Sequence, residues 1–339
     1  MFKKYFLLYV FLLFSLFGYS QIDTLVTKDN NILVGKIKKL KEGVLTMSTS
    51  YSDSDFKIEW LEVKTMSSNK SYRIILRNGG RYFGRIKMDT ISDRIVIVDE
   101  EKGTQVIHIP DLVYFEEVKK GSLFDVLKLS LDFGYSFTSS TELHQLNGDI
   151  NASYNKKKWG FSAFYTTVQN TQKDATPTIR NNGGFGIKYF LHYGLFASVN
   201  ADYYSNNEQK LDLRSNYSIG VGKYIVRTNQ VYFNVFVGSA FSNENYSDTI
   251  PERQSFEGKF GTEFHMFDLG NVNIFSSAYL FPSFTEKGRL RTILKGNIKY
   301  DITDDFYIKT GIDYNYDTKP VGNVKAYDYV FTFGIGWEL

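Results

Sequence analysis

The sequence predicts an all-β protein in two parts. A tandem pair of small SH3-like or Sm-like β-modules precedes an antiparallel transmembrane β-barrel of about twelve strands. Three observations predict this. Aromatic residues make up 17% of the chain, with 25 Tyr and 29 Phe against five prolines, a balance that favours strands. From Leu127 onward, apolar and polar residues alternate with period two over ten or more positions. Only the leader holds a long apolar run, so nothing after it matches the stretch of about 20 apolar residues that a spanning helix needs. In lipid, a closed barrel is the other way to satisfy every backbone group.

Residues 1–20 read as a signal peptide. Lys3 and Lys4 form a positive n-region, Tyr5–Phe17 an apolar h-region, and Gly18 and Ser20 the small-residue site, with cleavage before Gln21. Without Lys3 and Lys4, the 40 basic residues become 38 against 37 acidic ones, so the mature chain is near neutral. A nucleic-acid partner would call for a clear basic excess. The absence of cysteine excludes disulfides, thiolate metal sites and cysteine catalysis. No cofactor is expected.

Residues 21–118 contain a repeat. Thr24–Asn30 followed by Val34-Gly35-Lys36-Ile37 matches Arg73–Gly79 followed by Phe83-Gly84-Arg85-Ile86. Each copy is a strand, a turn at Asp29-Asn30 or Asn78-Gly79, and a strand centred on Gly-basic-Ile. Further strands follow at Val44–Met47 and Phe56–Trp60 in the first copy, and at Ile95–Val98 and Val106–Pro110 in the second. About four short strands cannot bury a face alone, so the copies should pack together. A docking or ligand-binding module and a rigid spacer or plug beneath the barrel are both open readings. Residues 119–126 form a linker.

Residues 127–339 form the barrel. Leu127, Leu129, Leu131, Phe133 and Tyr135 alternate with Lys128, Ser130, Asp132 and Gly134, and a comparable pattern covers Leu290–Asp301. Between them, strands are expected near Leu146–Tyr154, Trp159–Thr171, Gly184–Tyr193, Leu195–Tyr204, Leu213–Val226, Val231–Phe241, Phe256–Phe267 and Val272–Leu280. Another follows at Phe306–Tyr316. Short and long connections alternate, as periplasmic turns and extracellular loops do. Pro177, Pro251, Pro282 and Pro320 all fall in the long set. Trp159 and Trp337 fall at the short-turn end, where a periplasmic aromatic girdle belongs.

The inward phase of this barrel carries the candidate lumen-lining residues Asp132, Asp149, Asp202, Glu257, Lys259, Glu263, His265, Lys295, Lys299 and Asp313, with Lys309 beside them. Charges of both signs suit either a narrow hydrated pore or an ion-paired plug that stiffens a small barrel. Wide aqueous channels belong to barrels of about 16 strands or more. Enzymatic chemistry finds little support. A lipid-acting Ser–His site would have to draw on His144, Ser140 and Asn147, and their spacing matches no nucleophile motif. Gly183-Gly184-Phe185-Gly186 sits in a strand and lacks the helix of a phosphate loop.

The chain closes on Phe331, Phe333, Ile335, Trp337 and Leu339, in alternation with Thr332, Gly334, Gly336 and Glu338. This ending resembles the C-terminal signal by which outer-membrane barrels are recognised for insertion, with Leu in place of the usual Phe or Trp. Tyr51–Trp60 resembles a segment of Bacteroidetes members of the uncharacterised family of salt-induced outer-membrane proteins, and Leu127–Leu339 is similar to that family's defining domain. The leader and the strand pattern together lead to the expectation of a monomer in the outer membrane with its N-terminal part in the periplasm. Its partners would be outer-membrane lipid, the barrel-assembly machinery and a periplasmic protein. The resemblance implies no chemistry. The function read from the sequence is a non-enzymatic barrel that anchors a periplasmic module or passes small solutes. The alternatives are a phospholipase-like barrel enzyme and a tethered partner-binding module.

Overall fold

The computed structural model describes residues 23–91, 93–99, 101–118, 127–138, 142–156, 158–247, 251–269, 271–303, 305–322 and 325–338. The predicted leader, the linker 119–126, Ser140 and Leu339 lie outside the described residues.

The N-terminal part has nine strands: β1 (Asp23–Thr27), β2 (Ile32–Lys41), β3 (Val44–Ser48), β4 (Phe56–Glu59), β5 (Val63–Leu76), β6 (Arg81–Met88), β7 (Arg94–Asp99), β8 (Gly103–His108) and β9 (Leu112–Glu117). They join in one sheet of order β4-β3-β2-β1-β5-β6-β7-β8, with β9 pairing β2 and β5. The repeat is visible in this order. The first half of β5 closes the first copy on β1, with Leu25 opposite Met66. Its second half opens the second copy, paired with β6 and β9. Equivalent 3-10 turns, Trp60–Glu62 and Ile109–Asp111, precede the closing strands. The copies are therefore fused through β5, and β9 also reaches β2 at Leu40 and Phe115, so they do not stand as two separate modules. One core explains the fusion: Leu25, Ile37, Leu40, Trp60, Ile74, Ile97 and Phe115 belong to a single buried cluster. Trp60 locks the copies together, donating its indole N–H to the Ile109 carbonyl at 2.8 Å.

The repeated glycines have a steric cause. A Cβ on Gly35 would sit 2.3 Å from the Ser48 carbonyl oxygen, and one on Gly84 1.9 Å from that of Val98. Any side chain there would push the neighbouring strand away.

The second part is a closed barrel of β10 (Leu127–Thr138), β11 (Leu143–Lys156), β12 (Trp159–Thr171), β13 (Thr178–Phe190), β14 (Leu195–Asn206), β15 (Leu211–Arg227), β16 (Val231–Tyr246), β17 (Arg253–Leu269), β18 (Val272–Pro282), β19 (Leu290–Asp301), β20 (Phe306–Asp317) and β21 (Tyr327–Glu338). Each strand pairs with its sequence neighbours, and β21 returns to β10 with Asp132 opposite Gly336. The alternation sets which face is outside. Phe331, Phe333 and Ile335 are 62%, 57% and 62% exposed, whereas Glu257 is fully buried inside. An outer face of exposed Phe, Tyr, Ile and Leu is the surface of a lipid-embedded barrel.

Several strands outrun their predicted ends. β13 begins at Thr178 rather than Gly184, and β16 runs to Tyr246. Ser242 and Glu244, expected in a loop, lie in β16 and are buried. A polar run reads as loop from sequence, but here its side chains point into the wall. Pro282 is the last residue of β18, opposite Leu290, rather than part of a connection. A proline at a strand end costs the ladder little.

Candidate functional site

The inward side chains fall into three levels. At the long-connection end, Arg289 donates from Nη2 to both Glu244 carboxylate oxygens, at 2.8 and 3.0 Å, and to Asp317 at 2.7 Å. Arg214 Nε reaches the same Glu244 at 2.6 Å. Arg253 pairs with Glu286, and Arg291 donates from Nε to Glu257 at 3.0 Å. Of this network, the sequence pointed only to Glu257. Arg289 and Glu286 come from a connection, where alternation assigns no inward phase. Removing either partner of such a buried pair leaves an uncompensated charge.

The middle level surrounds a cavity of ≈ 440 Å³. Asp149, Asp202, Lys259, Glu263, Lys295, Asp313 and Lys309 line it, together with Arg180, Lys188 and a set of Asn and Ser side chains. Lys309 bonds Asp132 at 3.1 Å and lies 3.7 Å from Asp149. Glu263 accepts from Asn234 at 3.0 Å and lies 3.6 Å from Lys188. Phe164, Phe196, Phe236, Phe275, Tyr279 and Phe281 add apolar faces.

At the short-turn end, His265 packs edge-on against Phe267 and Phe275, with ring centroids 5.2 and 6.2 Å away. Lys299 is paired to Glu338 at 2.9 Å and to Asp301 at 3.1 Å. Neither His265 nor Lys299 lines the cavity. Trp159 is exposed and packs on Tyr189 at 4.8 Å, and Trp337 sits opposite Leu131 and Phe306 at the same end.

This end is also where the N-terminal sheet rests. Arg73 donates from Nη1 to the Asn155 carbonyl on β11. The Arg81 guanidinium stacks 3.6 Å from the Phe190 ring centroid at the end of β13. Asn229, in the β15–β16 turn, donates to the Pro110 carbonyl at 3.4 Å. Lys41, beside the β2–β3 turn, lies 4.0 Å from Glu338. Gly79, at positive φ, comes so close to Gly194 that a Cβ would stand 2.4 Å from the Gly194 nitrogen. These contacts are spread round the rim.

The rim is electrically tuned. Burial, with Arg227 beside it, pushes Arg81 down to about 10, which leaves it charged at neutral pH. Burial pushes the Glu42 carboxyl up, but Lys41, His265, Lys128 and Lys299 more than offset this and hold it below its ordinary value.

The constellation considered for lipid chemistry is not assembled among the described residues. His144 is exposed on the outer face, 2.8 Å from the Tyr135 hydroxyl, while Asn147 is buried on the inner face.

The family described as "Protein of unknown function, DUF481" matches residues 131–338. No curated protein matches the sequence. Similar solved structures include the NanC porin, at 9% identity and a TM-score of 0.38, covering 63% of this chain and 100% of that one. They also include the translocator domain of the autotransporter NalP from Neisseria meningitidis, at 10% identity and 0.33, covering 62% and 87%. A third is the monoaromatic hydrocarbon channel TodX, as its deltaS2 mutant, at 7% and 0.31, covering 63% and 88%.

Proposed function

We propose, from the premise that the chain belongs to the DUF481 family, that it is an outer-membrane barrel serving as the anchor for its N-terminal sheet, which it holds as a cap over the short-turn mouth. The observation that carries this is the ring of contacts from Arg73, Arg81, Pro110, Lys41 and Gly79 to the barrel rim. A loose tether would need none of them. The ion-paired network at the opposite end supports a stiffened barrel wall. Opposed faces for His144 and Asn147 support a non-enzymatic role.

The finer reading follows the sequence. Residues 1–20 direct export, the sheet faces the periplasm, and the barrel-assembly machinery recognises the terminal strand through Phe331, Phe333, Ile335 and Trp337. The resemblance to salt-induced outer-membrane proteins supports a duty in envelope physiology under osmotic stress, with the cap presented to a periplasmic protein.

Conductance of the full chain in planar bilayers tests the cap. The native protein should give no sustained channel steps. The Arg73→Ala, Arg81→Ala double variant should open intermittently. A steady open channel from the native chain would sink the reading.

A further inference from the structure

Among the described cations that line the mid-lumen cavity, all are met by carboxylates except two lysines. Lys259 on β17 is 6% exposed, and its ammonium donates only to the Ser218 hydroxyl, at 3.0 Å. The rings of Tyr279, Phe236 and Phe281 surround it at 5.0, 5.4 and 5.7 Å. An ammonium carries three donors, so two remain. Lys295 on β19 stands 5.3 Å from the Phe164 ring centroid and has no hydrogen-bond acceptor or ion pair among the described residues. Both lysines line the same ≈ 440 Å³ cavity, a volume in the range of small-molecule sites. Lys259 is buried and Lys295 half-buried, and burying the charge of Lys259 costs free energy that its one hydroxyl acceptor and surrounding rings offset only in part.

The same cavity holds two acidic groups, Asp202 and Asp313, that have no basic partner in ion-pair distance among the described residues. Asp202 lies within electrostatic reach of Lys259 and Lys295. A bare anion would meet its repulsion. A hydroxylated anion would not meet it alone, because its hydroxyls donate to carboxylates and to the Asn200 and Asn234 amide oxygens of the lining. The aromatic faces suit the C–H face of a sugar ring.

We propose that the mid-lumen cavity binds a monosaccharide bearing a carboxylate, with the carboxylate on Lys259 and Lys295 and the hydroxyls on Asp202 and the asparagines. This goes beyond the capped-anchor reading and does not depend on it. The lining reaches Arg180 and Asn315, near the long-connection ends of β13 and β20, away from the covered mouth. A conducting native channel would overturn the cap and leave the ligand site standing.

The test is titration calorimetry of the full chain, folded in detergent micelles, with glucuronate, glucose and glutamate at low and high salt. Glucuronate should bind, and more weakly at high salt. Lys259→Met and Lys295→Met should each weaken it about tenfold, the loss of one charge-assisted hydrogen bond. Glucose and glutamate should bind at least about tenfold more weakly than glucuronate. Heat-modifiable gel migration reports whether each variant is folded, and Lys295→Met decides alone if Lys259→Met is not. Failure of glucuronate to bind, equal binding by a folded variant, or tighter binding of glucose or glutamate would overturn the proposal.

Discussion

Single side chains set the limits of both parts. In the N-terminal sheet, Asp23 is buried and accepts from the Ile37 N–H at 2.8 Å and the Ser68 hydroxyl at 2.6 Å, while pairing with Lys70. Replacing Gly84 is a cleaner probe, because its clash is with backbone. Gly84→Ala should destabilise the sheet by about 1–3 kcal/mol, as overpacking does. Chemical denaturation followed by the emission of Trp60 would read it, and an unchanged midpoint would show that β6 and β7 can part without cost. In the barrel, Arg289 is fully buried against Glu244 and Asp317. Arg289→Met leaves the Asp317 carboxylate without its ion pair and Glu244 with Arg214 alone at hydrogen-bond distance, and should cost about 3–5 kcal/mol. The temperature at which the folded gel band is lost measures this. A shift indistinguishable from zero would mean that water screens the network.

At the scale of elements, the β2–β3 turn is where chemistry couples the two parts. Glu42 is held below its ordinary value of 4.5 in the folded protein, with burial outweighed by Lys41 and its neighbours. A carboxyl lowered on folding contributes stability that is complete above its unfolded value and lost as pH falls through the folded one. The cap should therefore hold firmly at neutral pH and loosen progressively below about pH 4.5. Hydrogen-exchange protection at Lys41–Gly43, taken relative to the intrinsic rate at each pH, should fall over that acid range in the native chain and less so in Glu42→Gln. Protection that stays constant down to strongly acid pH would remove Glu42 from the docking. On either side of this turn, Val34–Ile37 and Val44–Met47 were legible as strand, although buried Leu40 lies past the register shift between Ile37 and Lys39 and escapes the alternation. The closing strands of each copy were not. Lys64–Lys70 is polar along most of its length, and only its pairing with β1 shows it to be strand. The barrel strands were legible where lipid demands alternation. They were misjudged at the long-connection end, where Ser242–Glu244 and Arg289 use polar groups to fill a wall. Of the lumen, alternation gave the phase of Lys259 and Lys295 but not that both lack a carboxylate partner. That depends on contacts across strands far apart in sequence.

On the scale of the whole molecule, the outward band and the covered mouth make opposite demands on one chain. The band needs apolar groups at every second position, and β21 shows it most plainly. Its inward positions from Val330 to Gly336 are small, and a Cβ on Gly336 would strike the Tyr307 ring at 2.3 Å and Asp132 at 2.5 Å. The outward positions Phe331, Phe333 and Ile335 have no protein neighbour to hide them, so the surrounding medium must be apolar. Phe333 lies midway along β21, and an arginine there would sit near the centre of the apolar layer. Phe333→Arg should therefore cost about 2–4 kcal/mol, while the same change near a strand end, at Tyr327, should cost about 0–1. Reversible unfolding in lipid vesicles would measure both. In detergent-free buffer the native barrel should not remain monodisperse. If Phe333→Arg proved as mild as Tyr327→Arg, or if the native chain stayed soluble without detergent, the exposed aromatics would have to face water, and the barrel would have to stand outside the bilayer.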